Sequence, residues 1–122
     1  MKKLIFTLLF TTLVFSSPTY AGWTFVDESE DNVTFYVDKI KKRDGYVYFW
    51  QLADNPRPEN SYFSVKVYHQ VDCKAFRIKA LQYFFYTEPM GKGKPRISNN
   101  DTSWHYAPPG SSLENILDYV CL

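Results

Sequence analysis

The sequence predicts an α+β fold: an antiparallel sheet of about six strands, with a C-terminal helix disulfide-tethered to one face. Three observations lead there. Runs of alternating apolar and polar residues fill the middle of the chain, as half-buried strands require. Residues 108–122 carry an apolar stripe at helical spacing. The two cysteines sit one on each pattern, Cys73 in an alternating run and Cys121 on the stripe.

Residues 1–21 are expected to be a signal peptide outside the fold. Lys2 and Lys3 form a positive start, an apolar run follows, and Ser16, Ser17 and Pro18 break it before the cleavage site at Thr19-Tyr20-Ala21. The apolar run is shorter than the roughly 20 residues that span a bilayer, so no transmembrane segment is expected after cleavage. Residues 22–122 then form one domain of 101 residues. They hold twelve basic and thirteen acidic residues, a net charge of −1. A nucleic-acid partner, which needs a strongly basic face, is not expected. Gly22-Trp23 follows the cleavage site, with no cysteine there to take a lipid. In an exported chain two cysteines suggest one bridge. Joining Cys73 to Cys121 closes a loop of 48 residues, worth about 4 kcal/mol in the chain-entropy account.

The elements follow in order. Residues 23–28 read as a first strand, and Glu30-Asp31-Asn32 as a turn. Val33, Phe35 and Val37 share one side of the next run. Asp44-Gly45 is a hairpin signal between 40–43 and 46–53. The second of these runs is rich in strand formers on both faces, so it is either covered on both sides or meets a partner. Residues 54–60 are a proline-bearing loop. In 63–73, Phe63, Val65, Val67, His69, Val71 and Cys73 share the apolar face. Residues 76–86 form another strand, with a bulge where parity changes near Ala80-Leu81. Residues 90–93 read as a flexible turn, 94–98 as a last short strand, 99–103 as a loop and 104–109 as an extended approach to the helix. Pro108 and Pro109 set the helix start. Ser111 and Glu114 make a capping box, and Leu113, Ile116, Leu117, Val120 and Cys121 form the stripe.

Little in the chain suggests chemistry. His69 and Asp72 lie near Cys73, but on one strand they point to opposite faces, and Cys73 is committed to the bridge. His105 is far from His69, so no zinc spacing arises. Gly91 and Gly93 lack the surroundings of a phosphate loop. No catalytic, cofactor-binding or metal-binding residue is assigned, and no enzyme activity is expected. Lys39, Lys41, Lys42 and Arg43 form the densest basic run. It suits contact with an acidic glycan or protein patch, and equally a solvated hairpin.

Residues 22–122 contain 7 Phe, 9 Tyr and 3 Trp, more than one sheet face and one helix can hide. Exposed tyrosine and tryptophan favour interfaces, so a protein partner or a homodimer is expected. Lys41, Lys42, Arg43, Tyr46, Tyr48 and Tyr68 are the candidate binding surface.

Several short stretches together resemble the surface-adhesin protein E-like domain family of Gram-negative bacteria. They are Trp23 with Val26, Asp38 with Ile40, Trp50, residues 64–73, residues 90–93, Trp104, Pro109-Gly110-Ser111 and Val120-Cys121. The resemblance implies an antiparallel sheet whose C-terminal helix is held to the concave face by the Cys73–Cys121 bridge. It also implies a non-enzymatic, adhesive role toward host matrix proteins and a tendency to dimerise. The expected function is an exported binding module at the cell surface, secreted, or in the periplasm. The alternative is a periplasmic ligand-binding or envelope-accessory domain.

Overall fold

The computed structural model describes residues 22–58, 61–99 and 102–122. The expected signal peptide lies outside these residues, as do parts of the loops at 54–60 and 99–103.

Seven strands form one antiparallel sheet: β1 Thr24–Glu28, β2 Thr34–Arg43, β3 Tyr46–Asp54, β4 Ser64–Asp72, β5 Arg77–Tyr86, β6 Arg96–Ser98 and β7 Trp104–Tyr106. Strands β1 to β6 lie side by side in chain order. Helix α1, Ser112–Val120, closes the chain. Connections between neighbours keep the pairings from β1 to β6 local, as antiparallel meanders allow.

Particular residues set the registers. Asp44 and Gly45 both take positive φ, 55° and 82°, the backbone of a two-residue hairpin whose twist matches its strands. Strand β2 bulges between Asp38 and Lys41, where Lys39 adopts φ 53°. Strand β5 skips Leu81: Tyr68 faces Gln82, and His69 faces Ala80. At the β4–β5 turn, Asp72 accepts from the Ala75 amide and from Arg77 Nε at 3.2 Å. Its carboxyl is held below the usual range, first by the Ala75 amide and then by Arg77.

Residues 104–109 differ from expectation. Trp104, His105 and Tyr106 are strand β7, paired to Lys79, Ile78 and Arg77 of β5. Strand β5 is ten residues long, and β6 occupies only its Tyr83–Phe85 stretch on that edge. The remaining open hydrogen-bonding groups recruit the chain as it returns to the helix. The turn after β5 also differs. Pro89–Gly91 forms a 3-10 turn that is tied down: the Met90 amide donates to Asp54 (2.7 Å) and the Gly91 amide to Ser64 Oγ (2.8 Å).

The core lies between α1 and one face of the sheet. Val37, Val47, Phe49, Val71 and Ile78 from the strands meet Ile116, Leu117 and Val120 from the helix. Phe49 and Leu117 are fully buried, each contributing about 1.5–3 kcal/mol by area. Leu113 and Cys121 pack partly buried at the edge of the same cluster. Cys73 and Cys121 are bonded, so the helix is covalently attached where β4 ends. At its other end Ser111 Oγ accepts from the Glu114 amide at 3.2 Å. The Glu114 carboxylate reaches back to the Gly110 amide because the Ser111 amide already donates to Pro108. Asn115 donates to Asp27 of β1 at 2.9 Å.

Candidate binding face

A nine-residue helix covers one face of the sheet; strand parity determines what the other face presents. Side chains alternate, and Val47 and Phe49 go to the core. Tyr46, Tyr48, Trp50 and Leu52 of β3 therefore point the other way. Across the registers this open face collects Lys41 and Arg43 from β2, Lys66 and Tyr68 from β4, and Phe84 and Tyr86 from β5. Trp104 and Tyr106 join it from β7.

The rings of this face form two contacting groups. Trp104 stacks on Tyr46 at 5.9 Å and 27°. Tyr48 and Tyr68 stack at 6.1 Å, Trp50 meets Tyr68 at 4.9 Å, and Trp50 meets Phe84 at 5.6 Å. Cations lie over the same rings. Arg43 sits 4.2 Å above Tyr48, and Arg77 and Lys79 sit 4.4 and 4.6 Å from Trp104. Ring faces attract cations, and the rings cover the side-chain stems while leaving the charges toward water. Among the described residues the layer is covered at one end: the Pro89–Gly91 turn packs against β3 and β4, and Leu52 is fully buried.

Beside that turn the layer hollows into a recess of about 330 Å³, lined by Trp23, Asp38, Lys39, Trp50, Lys66, Phe84 and Tyr86. Lys66 Nζ lies 5.7 Å from the Trp23 ring centre and 5.2 Å from that of Tyr86. A smaller depression of about 190 Å³, lined in part by Tyr62, Phe63, Val65 and Phe85, lies at Ala53 and Ser64.

Of the six residues singled out by sequence, Lys41, Arg43, Tyr46, Tyr48 and Tyr68 lie on the open face. Lys42 pairs with Val47, which puts it on the helix-bearing face. Sequence reasoning missed Trp104, Trp50, Lys66 and the other recess residues. Trp104 and Tyr106 at alternate positions were a strand signal, but one three residues long. The recess draws on β2, β3, β4 and β5 and on Trp23 just before β1, and only the sheet order assembles it.

His69 is buried on the helix-bearing face. Its Nε2 lies 3.0 Å from Gln51 Oε1, and its ring stacks on Phe49 at 5.1 Å. Burial lowers its pKa to about 3. No described residue makes a well-formed hydrogen bond to Nδ1, although the Lys79 backbone is near enough to oppose the shift slightly. Asp72 is held by Arg77 instead, so the two residues share no proton. Among the described residues, no group of three or more His, Cys, Asp or Glu is placed to hold a metal ion. No helix among them is long and apolar enough to cross a membrane.

The family model of surface-adhesin protein E matches residues 23–122. The chain belongs to the surface-adhesin protein E family. The fold is similar to that of Haemophilus influenzae protein E: 18% identity and a TM-score of 0.64, covering 87% of this chain and 88% of that one. A second crystal form gives the same identity and TM-score, covering 87% and 91%. Protein E from non-typeable Haemophilus influenzae matches at 20% identity and a TM-score of 0.59, covering 87% and 79%. No curated protein matches the sequence. Membership makes the chain an adhesin-like protein and gives the helix-on-sheet scaffold a family context.

Proposed function

We propose that this chain is an exported, non-enzymatic binding module that holds a protein partner, such as a host extracellular-matrix protein, on its open aromatic face. The supporting observation is the set of rings gathered on this face, Trp104 stacked on Tyr46 and Tyr48 joined through Tyr68 to Trp50, with Arg43 over Tyr48. Tyrosine, tryptophan and arginine are the residues that dominate protein interfaces, because rigid rings bring large contact area at small entropic cost. The neighbouring strands fix these rings, so little ordering is left for the binding step.

The face is built for contact rather than turnover. Toward the hairpin and β7 its charged groups are cations over rings, Arg43 at Tyr48 and Arg77 and Lys79 at Trp104, and the buried histidine lies on the other side of the sheet. The test is binding of the purified protein to immobilised matrix proteins, with Tyr48→Ala and Tyr68→Ala as face variants. A second copy of the chain is the competing occupant, and sedimentation at the same concentrations distinguishes the two.

A further inference from the structure

The recess at the Pro89–Gly91 end of the open face differs chemically from the rest of that face. Four rings line it, Trp23, Trp50, Phe84 and Tyr86, and three charged groups join them, Asp38, Lys39 and Lys66. We infer that it binds one carboxylate-bearing sugar ring, a uronic-acid-type pyranose.

Each group removes other ligand classes. Lys66 is half-buried and is positioned by two rings, Trp23 and Tyr86. Its stem runs beside Gly91, where a Cβ would collide with Cε. It makes no ion pair among the described residues; the one such pair is Arg77–Asp72. A fixed, unpaired ammonium in an aromatic recess calls for an anion, since desolvation strengthens the attraction. Lys39 lies beside it on the β2 bulge, and bulges re-aim side chains toward sites.

Asp38 rules out a simple anion. One of its oxygens accepts from the Lys39 amide at 2.8 Å, and no described residue donates to the other. That oxygen would repel a bare carboxylate and accept from a hydroxyl. A ligand satisfying Asp38 and Lys66 together carries hydroxyl donors and a negative charge. The rings add the third requirement, a flat apolar face of the kind that C–H groups on one side of a pyranose provide. Trp50 and Phe84 meet at 47° rather than in parallel, so the recess is a cup and not a slot. Its volume, about 330 Å³, is at the low end of small-ligand sites, roughly 300–1,000 Å³. This suits one ring and not a chain.

The inference does not rest on the protein-binding reading: the two share Trp50, but Arg43, Tyr46 and Tyr48 of that reading lie toward the hairpin end of the sheet. The test is an NMR titration of the protein, following the three tryptophan indole N–H signals. The probes are glucuronic acid, glucose (no charge) and cyclohexanecarboxylate (no hydroxyls). Glucuronic acid is expected to shift the Trp23 and Trp50 signals saturably, with a Kd of about 1–10 mM for so small a ligand, and to leave Trp104 unmoved. Both other probes are expected to bind at least about tenfold more weakly. Lys66→Met keeps the packed stem and should erase the preference over glucose. Asp38→Asn should erase the preference over cyclohexanecarboxylate. Lys39→Met, at an exposed position, should weaken glucuronic acid alone if the Lys66 variant folds poorly. Tyr48→Ala should leave sugar binding intact while weakening the protein partner. The inference is overturned by an absence of saturable shifts, by equal binding of glucuronic acid and cyclohexanecarboxylate, or by an unchanged preference in both lysine variants. Those outcomes leave the protein-binding reading untouched.

Discussion

Tyr48 and Tyr68 stack across β3 and β4 with ring centres 6.1 Å apart, on the face that the helix leaves bare. The opposite sides of the same strands hold Phe49 and His69, which stack at 5.1 Å beneath the helix. One face of the sheet thus gives the domain its stability, and the other presents its rings. This division separates mutations that unfold the protein from mutations that alter only binding.

The disulfide belongs to the stabilising half. Replacing Cys73 and Cys121 with serine reopens a loop with a sequence separation of 48 residues. The expected loss is about 2–4 kcal/mol, read as a lower melting temperature under oxidising conditions. An unchanged melting temperature would contradict the account of a covalently anchored helix.

The helix start is expected to be sensitive as well. Ser111→Ala removes the acceptor for the Glu114 amide and should cost about 1 kcal/mol. Glu114→Ala should cost less, since among the described residues its carboxylate serves only the exposed Gly110 amide. Equal effects in denaturant melts would mean that the cap geometry is not what holds the helix end.

His69 makes stability depend on pH in a defined direction. Its folded pKa, about 3, lies below the ordinary histidine value of 6.5 because the ring is desolvated. The unfolded chain therefore takes up the proton first as pH falls. The contribution is intact above pH 6.5 and is lost progressively toward pH 3. Between pH 7 and pH 5 the expected loss is about 2 kcal/mol, and His69→Gln should flatten that slope. Wild-type stability that stays level over this interval would show that His69 is not buried and neutral.

Much of the scaffold was legible in the sequence, for identifiable reasons. The Ser111–Glu114 box and the stripe from Leu113 to Cys121 repeat at helical spacing, so the helix could be located to within a residue or two. The parity change near Ala80-Leu81 marked the β5 bulge, because a skipped residue moves every later side chain to the other face. Strand β7 was not legible: three residues beside prolines carry too little pattern, and its pairing depends on the length of β5. Lys42 was grouped with its neighbours by charge, whereas its register with Val47 turns it to the helix side. The recess was out of reach for a related reason, since Trp23 and Lys66 meet only through the order of the strands.

Binding to immobilised extracellular-matrix proteins tests the central claim most directly, with Tyr48→Ala/Tyr68→Ala compared against Lys42→Ala. The account predicts saturable binding by the wild-type protein at micromolar concentrations. It predicts a loss of at least about tenfold in the double variant, and no change in Lys42→Ala, whose side chain lies on the opposite face. Absence of binding at micromolar concentrations, or an equal loss in Lys42→Ala, would contradict it.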